Sequence, residues 1–347
     1  MSVIDCDVHN LVGPIETLEP FLDEHWREVI STSQFAGPTD QAHPPNLATS
    51  LRPDLPAVDG AAPGRSVAAL RAHMLDPLAA ELAILSCDYG VESVRNPDAA
   101  AALARAVNEW QVAEWLDGEP RLRAALVVAS QQPAAAVAEI EHWAQERRFV
   151  AVYLPVRSAI PYGNRIWWPL WEAIARHDLV AELHFGGSPG IPPTAAGWPT
   201  TWLEEYVDMA SAFAAQLTSL VAEGIFDRFP SLRVSLIESG FAWLPAFLWR
   251  FDKGWRGLRR EVPWTSRLPS EYVRDHVRVS LQPVDGPPQP TELLRVIDQL
   301  DSERMLMFSS DYPHRHTAED LAAVPADLPP ALAERLLSAN AREHYRL

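Results

Sequence analysis

The chain is predicted to be a (β/α)8 barrel with a long insertion after its first strand, on three observations. Eight short apolar runs recur along the 347 residues, helical stretches separate most of them, and the length suits one barrel domain. Apolar strands alternating with helices imply parallel pairing with both faces covered. The rival, an open doubly wound sheet, usually carries a Gly-rich turn after strand one, and this chain has none there.

The first run, Val3 to Val8, leads straight into His9 and Asn10. The next are Ala83 to Ser86, Leu122 to Val128, Phe149 to Leu154, Leu179 to His184, Leu232 to Glu238, Val277 to Leu281 and Arg304 to Phe308. Helices are predicted from Pro97, followed by Asp98 in the first turn, to Leu116, from Ala134, behind Pro133, to Arg147, and around Pro169 to Arg176. Residues 10–64 break the alternation. They hold Pro38, Pro44, Pro45, Pro53, Pro56 and Pro63 with few apolar runs, and an excursion of this length reads as a lid or binding loop. A shorter break spans residues 254–270, and with no linker-like shift in composition residues 1–347 are assigned to one domain.

Composition narrows the functional classes. With 48% hydrophobic and 22% charged residues the chain is globular. Its net charge of −17 argues against nucleic-acid binding, which needs clustered cations against phosphate. No apolar window is long enough for a membrane span, and no signal peptide is visible, so a cytoplasmic protein is expected. Cys6 and Cys87 are the only cysteines, which speaks against a disulfide framework or a Cys-rich zinc site. Lys253 is the only lysine and lies in a helical stretch, so no strand-tip lysine is available for chemistry.

In a barrel of this kind functional groups collect at the carboxyl ends of the strands. Asp7 and His9, two residues apart on strand one, share a face and lie roughly 6.5 to 7 Å apart along it. His184 closes strand five, Glu238 strand six and Asp311 strand eight. Asp7, His9, His184 and Asp311 offer two nitrogens and two carboxylates, a set suited to one divalent ion: Zn²⁺ first, with Mn²⁺ or Fe²⁺ also compatible.

These patterns resemble the amidohydrolase superfamily, within it the amidohydrolase 2 branch that includes aminocarboxymuconate semialdehyde and resorcylate-type decarboxylases. The matching residues are the strand-one motif, Leu183-His184, Ser309-Ser310-Asp311-Tyr312-Pro313-His314 and the closing Asn340-Ala341-Arg342-Glu343-His344-Tyr345, so the likeness spans the chain. It implies metal ligation by Asp7, His9, His184 and Asp311, and a homodimer. Two departures stand out. The family pattern Asp-x-His-x-His reads Asp5-Cys6-Asp7-Val8-His9, which puts an anionic ligand first, favours a harder ion such as Mn²⁺ and leaves Asp5 as a deeper hydrogen-bonding residue. On strand six the decarboxylases' catalytic His is Glu238, and His314 is the candidate substitute imidazole. The superfamily's carboxylated lysine is missing from strand four, which implies a single metal; Arg157 there is a candidate fork for a substrate carboxylate. Trp167 and Trp198, with Trp168 and Trp202, are candidate walls of an aromatic pocket. His276, His142, His177 and His344 are assigned to structural roles.

The expected function is metal-dependent hydrolysis of a small, aromatic or cyclic carboxylate-bearing substrate. Asp311 takes a proton from an activated water, and Glu238 or His314 assists the leaving group. The alternative is non-oxidative decarboxylation of an aromatic or muconate-like acid at the same metal; a catalytically silent barrel is the third reading.

Overall fold

The computed structural model describes residues 2–38, 51–187, 191–287, 289–314 and 328–347. Eight strands, β1 (Val3–Val8), β2 (Ala80–Leu85), β3 (Leu122–Val127), β4 (Phe149–Arg157), β5 (Val180–Gly187), β6 (Arg233–Ile237), β7 (Val277–Ser280) and β8 (Leu306–Met307), follow one another in a single sheet. Every neighbouring pair is parallel. Backbone bonds then bring the last strand back to the first: Cys6 N–H donates to Phe308 O at 3.0 Å, Asp311 N–H to Asp7 O at 3.1 Å and His9 N–H to Tyr312 O at 2.6 Å. The predicted (β/α)8 barrel is the observed fold.

β8 is shorter than its apolar run because Phe308 N–H bonds the Leu336 carbonyl instead of a strand partner. The helices begin where their caps dictate. Asn96 Oδ1 accepts from Asp98 and Ala99 N–H ahead of helix Pro97–Trp110, and Thr201 forms a capping box with Glu204 ahead of helix Trp202–Ala222. The first of these continues as a π-turn over Gln111–Leu116, and the helix expected to reach Arg147 ends at Trp143.

Two apolar clusters hold the layers together. The larger joins strand residues such as Leu126, Val152 and Leu236 to helix residues such as Leu103, Leu170 and Leu217. The smaller fills the barrel interior with Ile4, Cys6, Ile84, Ala125, Ala151, Tyr153, Val180, Ile237 and Met307, and the C-terminal helix Asn340–Tyr345 reaches it through Ala341 and Tyr345. On β1, the residues from Asp5 to Val8 lie opposite only Ala83 to Leu85, the mark of a bulge. The bulge allows Cys6 to join the inner cluster while Asp7 and His9 still converge on one site.

Within the insertion, a 3-10 helix (Ile15–Phe21) and a helix (Glu24–Thr32) capped by Asp23 precede residues 39–50, the part of the expected lid that lies outside the described residues. The chain after them returns along the β8 loop, where Leu51 bridges His314 and Arg52 N–H donates to Pro313 O at 2.9 Å.

A buried polar chain ties the tip of β1 to the outer helices. Asn10 Nδ2 donates to Gln111 Oε1 at 3.2 Å, and Gln111 Nε2 donates to Asn108 Oδ1 at 3.2 Å. Asn108 in turn satisfies both Val127 N–H and Val127 O, and bonds Glu139, which also accepts from Arg105 and Trp143. Asn108→Ala would strand the two Val127 groups away from water. We expect a loss of roughly 2–4 kcal/mol in urea unfolding; a loss below about 0.5 kcal/mol would show that the chain of bonds is dispensable.

Candidate metal centre at the carboxyl ends of the strands

Asp7 and His9 leave β1, His184 lies on β5, Glu238 follows β6, and Asp311 and His314 follow β8. The fold brings all six together. The ligand atoms of Asp7, His9 and His184 lie within 4.8 Å of one another, as do those of His9, Glu238, Asp311 and His314. His9 Nε2 is the shared point, 3.5 Å from Asp7 Oδ1, 3.1 Å from Asp311 Oδ1 and 3.9 Å from Glu238 Oε1. His184 Nε2 lies 3.4 Å from Asp7 Oδ1, and its Nδ1 is 2.9 Å from the Phe185 carbonyl. A carbonyl there holds the ring proton on Nδ1 and turns the Nε2 lone pair inward. His314 Nδ1 lies 2.7 Å from Asp311 Oδ1 and 3.6 Å from Glu238 Oε1.

Burial separates the members. Asp7, His9, His184 and Asp311 are almost wholly enclosed, whereas the side chains of Glu238 and His314 are 12% and 27% exposed, so these two face the mouth. Glu238 and Asp311 both hold a left-handed backbone, φ 56° and 53°. Side chains rarely adopt that region, and its use after β6 and again after β8 marks strain retained at a site. After His184 the turn requires glycine: a Cβ on Gly187, at φ +136°, would meet Arg157 Cβ at 2.5 Å.

The donor set fits a divalent cation. Asp7 Oδ2 and both ring nitrogens of His9 are buried without a hydrogen-bond partner, although His9 Nε2 is close to Asp311. Buried polar atoms are nearly always satisfied, and a cation among these atoms would satisfy them. Five carboxylates, of Asp5, Asp7, Glu182, Glu238 and Asp311, gather at this end of the barrel. In the absence of a cation, protons take its place. Burial pushes Glu238 up to about 8, and the Asp311 charge adds to the push against opposition from His314 and His184. Burial likewise raises Glu182 to about 8, opposed by His184 and the Ser86 hydroxyl, and Asp5 to about 7, opposed by its hydrogen bonds from Ser310 and Asp7 N–H. For His314 and His184 burial works downward, but the carboxylates beside them win and hold both well above the ordinary imidazole value. His9 is lowered, by burial and then by the His314 charge.

The three expected substrate contacts stand in different surroundings. β4 runs three residues beyond its expected end and carries Arg157 with it. The guanidinium is committed to Glu205 at 2.9 Å and the Gly187 carbonyl at 3.0 Å. Trp167 is buried in the core against Tyr162, and Trp198 is half exposed. Asp5 has the deeper hydrogen-bonding place expected of it, accepting from Ser310 N–H at 3.0 Å. His276 bonds the Leu232 carbonyl at the opposite end of the barrel. Sequence reasoning missed Glu182, which is wholly buried and bonded to Ser86 Oγ at 2.7 Å. A charged residue inside an apolar strand run, two positions before a ligand, was the available signal. It also missed Tyr153 as a neighbour, its ring centroid 5.0 Å from that of His184.

A (β/α)8 barrel with histidines and carboxylates converging at its strand tips defines the class of barrel enzymes that work on a bound metal. Over residues 4–347 the chain matches the amidohydrolase family, and it belongs to that family. It is 27% identical over 261 residues to a gamma-resorcylate decarboxylase of Polaromonas sp., covering 70% of this chain and 76% of that protein. A second gamma-resorcylate decarboxylase, from Rhodococcus jostii, is 26% identical over 277 residues, 72% and 79% of the two chains. Among solved structures, a Polaromonas dihydroxybenzoic acid decarboxylase with bound manganese and 2-nitroresorcinol superposes at TM-score 0.70 with 20% identity, over 100% of this chain and 97% of that one. A Novosphingobium aromaticivorans 5-carboxyvanillate decarboxylase, also with manganese, gives TM-score 0.73 at 20% identity, again over 100% and 97%. Among the described residues no helix is long and apolar enough to cross a membrane.

The raised acids set a pH dependence for metal-free protein. An acid raised on folding contributes stability that is complete below its unfolded pKa and lost as pH climbs through its folded one. For Glu182 and Glu238 that window runs from about 4.5 to about 8. The urea midpoint of chelator-treated protein should therefore fall from pH 5 to pH 8, and fall less once metal is restored. A midpoint that rises across the window would contradict this account of the site.

Proposed function

We propose that the chain is a metal-dependent, non-oxidative carboxy-lyase acting on a small ortho-hydroxylated aromatic acid. The hydrolase reading, placed first on the residues, gives way to its alternative on two grounds: the relatives at 27% and 26% identity are decarboxylases, and His314 stands where a proton donor is needed. The observation that carries the proposal is His314 itself, 2.7 Å from Asp311 and 3.6 Å from Glu238 at the mouth of the site. Glu238 occupies the strand-six position where family decarboxylases carry histidine, and a carboxylate there supplies no cationic donor.

Asp7, His9, His184 and Asp311 would hold one divalent ion, with Mn²⁺ now ahead of Zn²⁺. The ion would supply Lewis acidity toward the carboxylate and ortho oxygen of the substrate. Mn²⁺ is supported by the hard Asp7 ligand and by the manganese in the structural neighbours. His314, paired with Asp311, delivers a proton to the ring carbon that bears the carboxylate. The bond to the carboxyl carbon then breaks, its electron pair restores the aromatic ring, and CO2 leaves without an oxidant. Glu238, which burial pushes toward its neutral form, stands beside His314 at the mouth. The cytoplasmic location, the homodimer and the covering role of residues 10–64 belong to the same proposal.

The test is direct. Purified protein should hold about one equivalent of manganese or zinc, lost in His184→Ala. With Mn²⁺ it should release CO2 from 2,6-dihydroxybenzoate or a related 2-hydroxybenzoate. Asp311→Asn and His314→Gln should each lower kcat by about 10²- to 10⁴-fold. Turnover of activated esters with no CO2 from any hydroxybenzoate would restore the hydrolase reading, with Glu238 as its base.

A further inference from the structure

We propose that Tyr312 is a positioning residue whose hydroxyl latches the returning limb of the insertion, residues 51–64, to the β8 loop and so holds His314 at the site. The inference rests on the role given to His314 above. On the barrel side, the Tyr312 backbone bridges Val8 and its carbonyl accepts from His9 N–H at 2.6 Å. Its buried side chain points the other way in terms of partners. The hydroxyl accepts from Gly64 N–H at 3.0 Å and lies 3.0 Å from His73 Nδ1. A phenol has one proton to give. With Gly64 N–H donating to it, the same oxygen also shares a hydrogen bond with His73 Nδ1. The oxygen therefore joins two elements remote in sequence from β8.

The rest of the limb follows the same loop. Leu51 bridges His314, Arg52 N–H donates to Pro313 O at 2.9 Å, and Leu11 N–H donates to Gly64 O at 2.8 Å. Gly64, at φ +74°, packs so closely that a Cβ would lie 2.8 Å from Pro313 Cγ and 3.1 Å from Leu11 Cδ1. Tyr312, Pro313 and His314 thus each engage the insertion, while Asp311 N–H engages β1 through the Asp7 carbonyl. The barrel sets Asp311 and the Tyr312 backbone; the insertion adds contacts to the Tyr312 hydroxyl, Pro313 and His314. His314 meets Asp311 at 2.7 Å, held by its own N–H donating to the Asp311 carbonyl at 2.8 Å and by the bridge to Leu51 of the insertion.

The experiment compares wild type, Tyr312→Phe, His73→Ala and His314→Gln, and the double variant Tyr312→Phe/His314→Gln, in Mn²⁺-loaded protein. Tyr312→Phe keeps the ring in the core; His73→Ala removes a partner of the hydroxyl and leaves the β8 loop's own residues unchanged. Amide hydrogen exchange should quicken by about tenfold across residues 51–64 in both, as expected for loss of one buried hydrogen bond, with β2 to β6 unchanged and metal stoichiometry retained. In the decarboxylation assay Tyr312→Phe should lower kcat by about tenfold with little change in KM, and add nothing in the His314→Gln background. Unchanged exchange in both latch variants overturns the latch, whether or not a substrate has been found. Multiplying kcat losses in the double variant overturn the link to His314. Should no decarboxylation occur at all, the proposed function fails while the exchange arm still decides the latch.

Discussion

Several carboxylates enclosed at one end of a barrel form an arrangement that water-free surroundings oppose strongly. Asp7 and Asp311 are almost wholly buried, Glu238 is close by, and Asp5 and Glu182 lie deeper on the strands. The charge partners that the fold supplies are imidazoles. A divalent cation balances two of these carboxylates at one stroke and gives the unpartnered atoms of Asp7 and His9 something to bind. Without it, protons must serve, which is why Asp5, Glu182 and Glu238 are all displaced toward their neutral forms. Much of the local backbone answers to this constraint. The bulge on β1, the left-handed turns at Glu238 and Asp311 and the glycine pair after His184 all bring ligand atoms to one small volume.

The same bonds that close the barrel also assemble the site. Asp311 N–H donates to the carbonyl of Asp7, and His9 N–H to the carbonyl of Tyr312. Each ligand-bearing segment is thus registered against the other by its own main chain. Asp5 adds a side-chain clasp from below, accepting from both Asp7 N–H and Ser310 N–H. Because backbone bonds tolerate little displacement, the distances among Asp7, His9 and Asp311 are inherited from barrel closure and need no support from a loop. His314 differs, since its neighbours Pro313 and Leu51 belong to the contact with the insertion.

The barrel was legible because a strand covered on both faces must be a continuous apolar run, and all eight runs end within three residues of an observed strand end. The candidate ligands were legible for the same reason: Asp7, His9, His184, Glu238 and Asp311 are polar residues where apolar runs stop. Long side chains were harder. Arg157 looked free because its strand seemed to end at Leu154; in three dimensions Glu205, 48 positions later, takes its guanidinium. Trp167 and Trp198 share a residue type but not an environment, and only packing separates a core indole from an exposed one. Glu182 was overlooked because a charge in mid-strand looks like an interruption of the pattern, whereas inside a barrel it is a second layer beneath the ligands.

Replacing an imidazole by Glu238 alters the proton inventory of the site. An imidazolium at the end of β6 would add a positive charge beside Asp311; a carboxylate adds a negative one, and two anions so close together cannot both stay ionised without a compensating charge. Burial and the Asp311 charge push Glu238 toward its neutral form. The mobile positive charge must then come from another element, and His314 lies within reach of both acids, 2.7 Å from Asp311 and 3.6 Å from Glu238. In the proposed reaction the charge that a histidine on β6 would carry falls to His314 on the β8 loop, a residue in contact with the insertion as well as with the barrel. On that proposal the departure at position 238 and the attachment of the insertion to the β8 loop are parts of one arrangement, since a proton carrier on a loop gains from a second support.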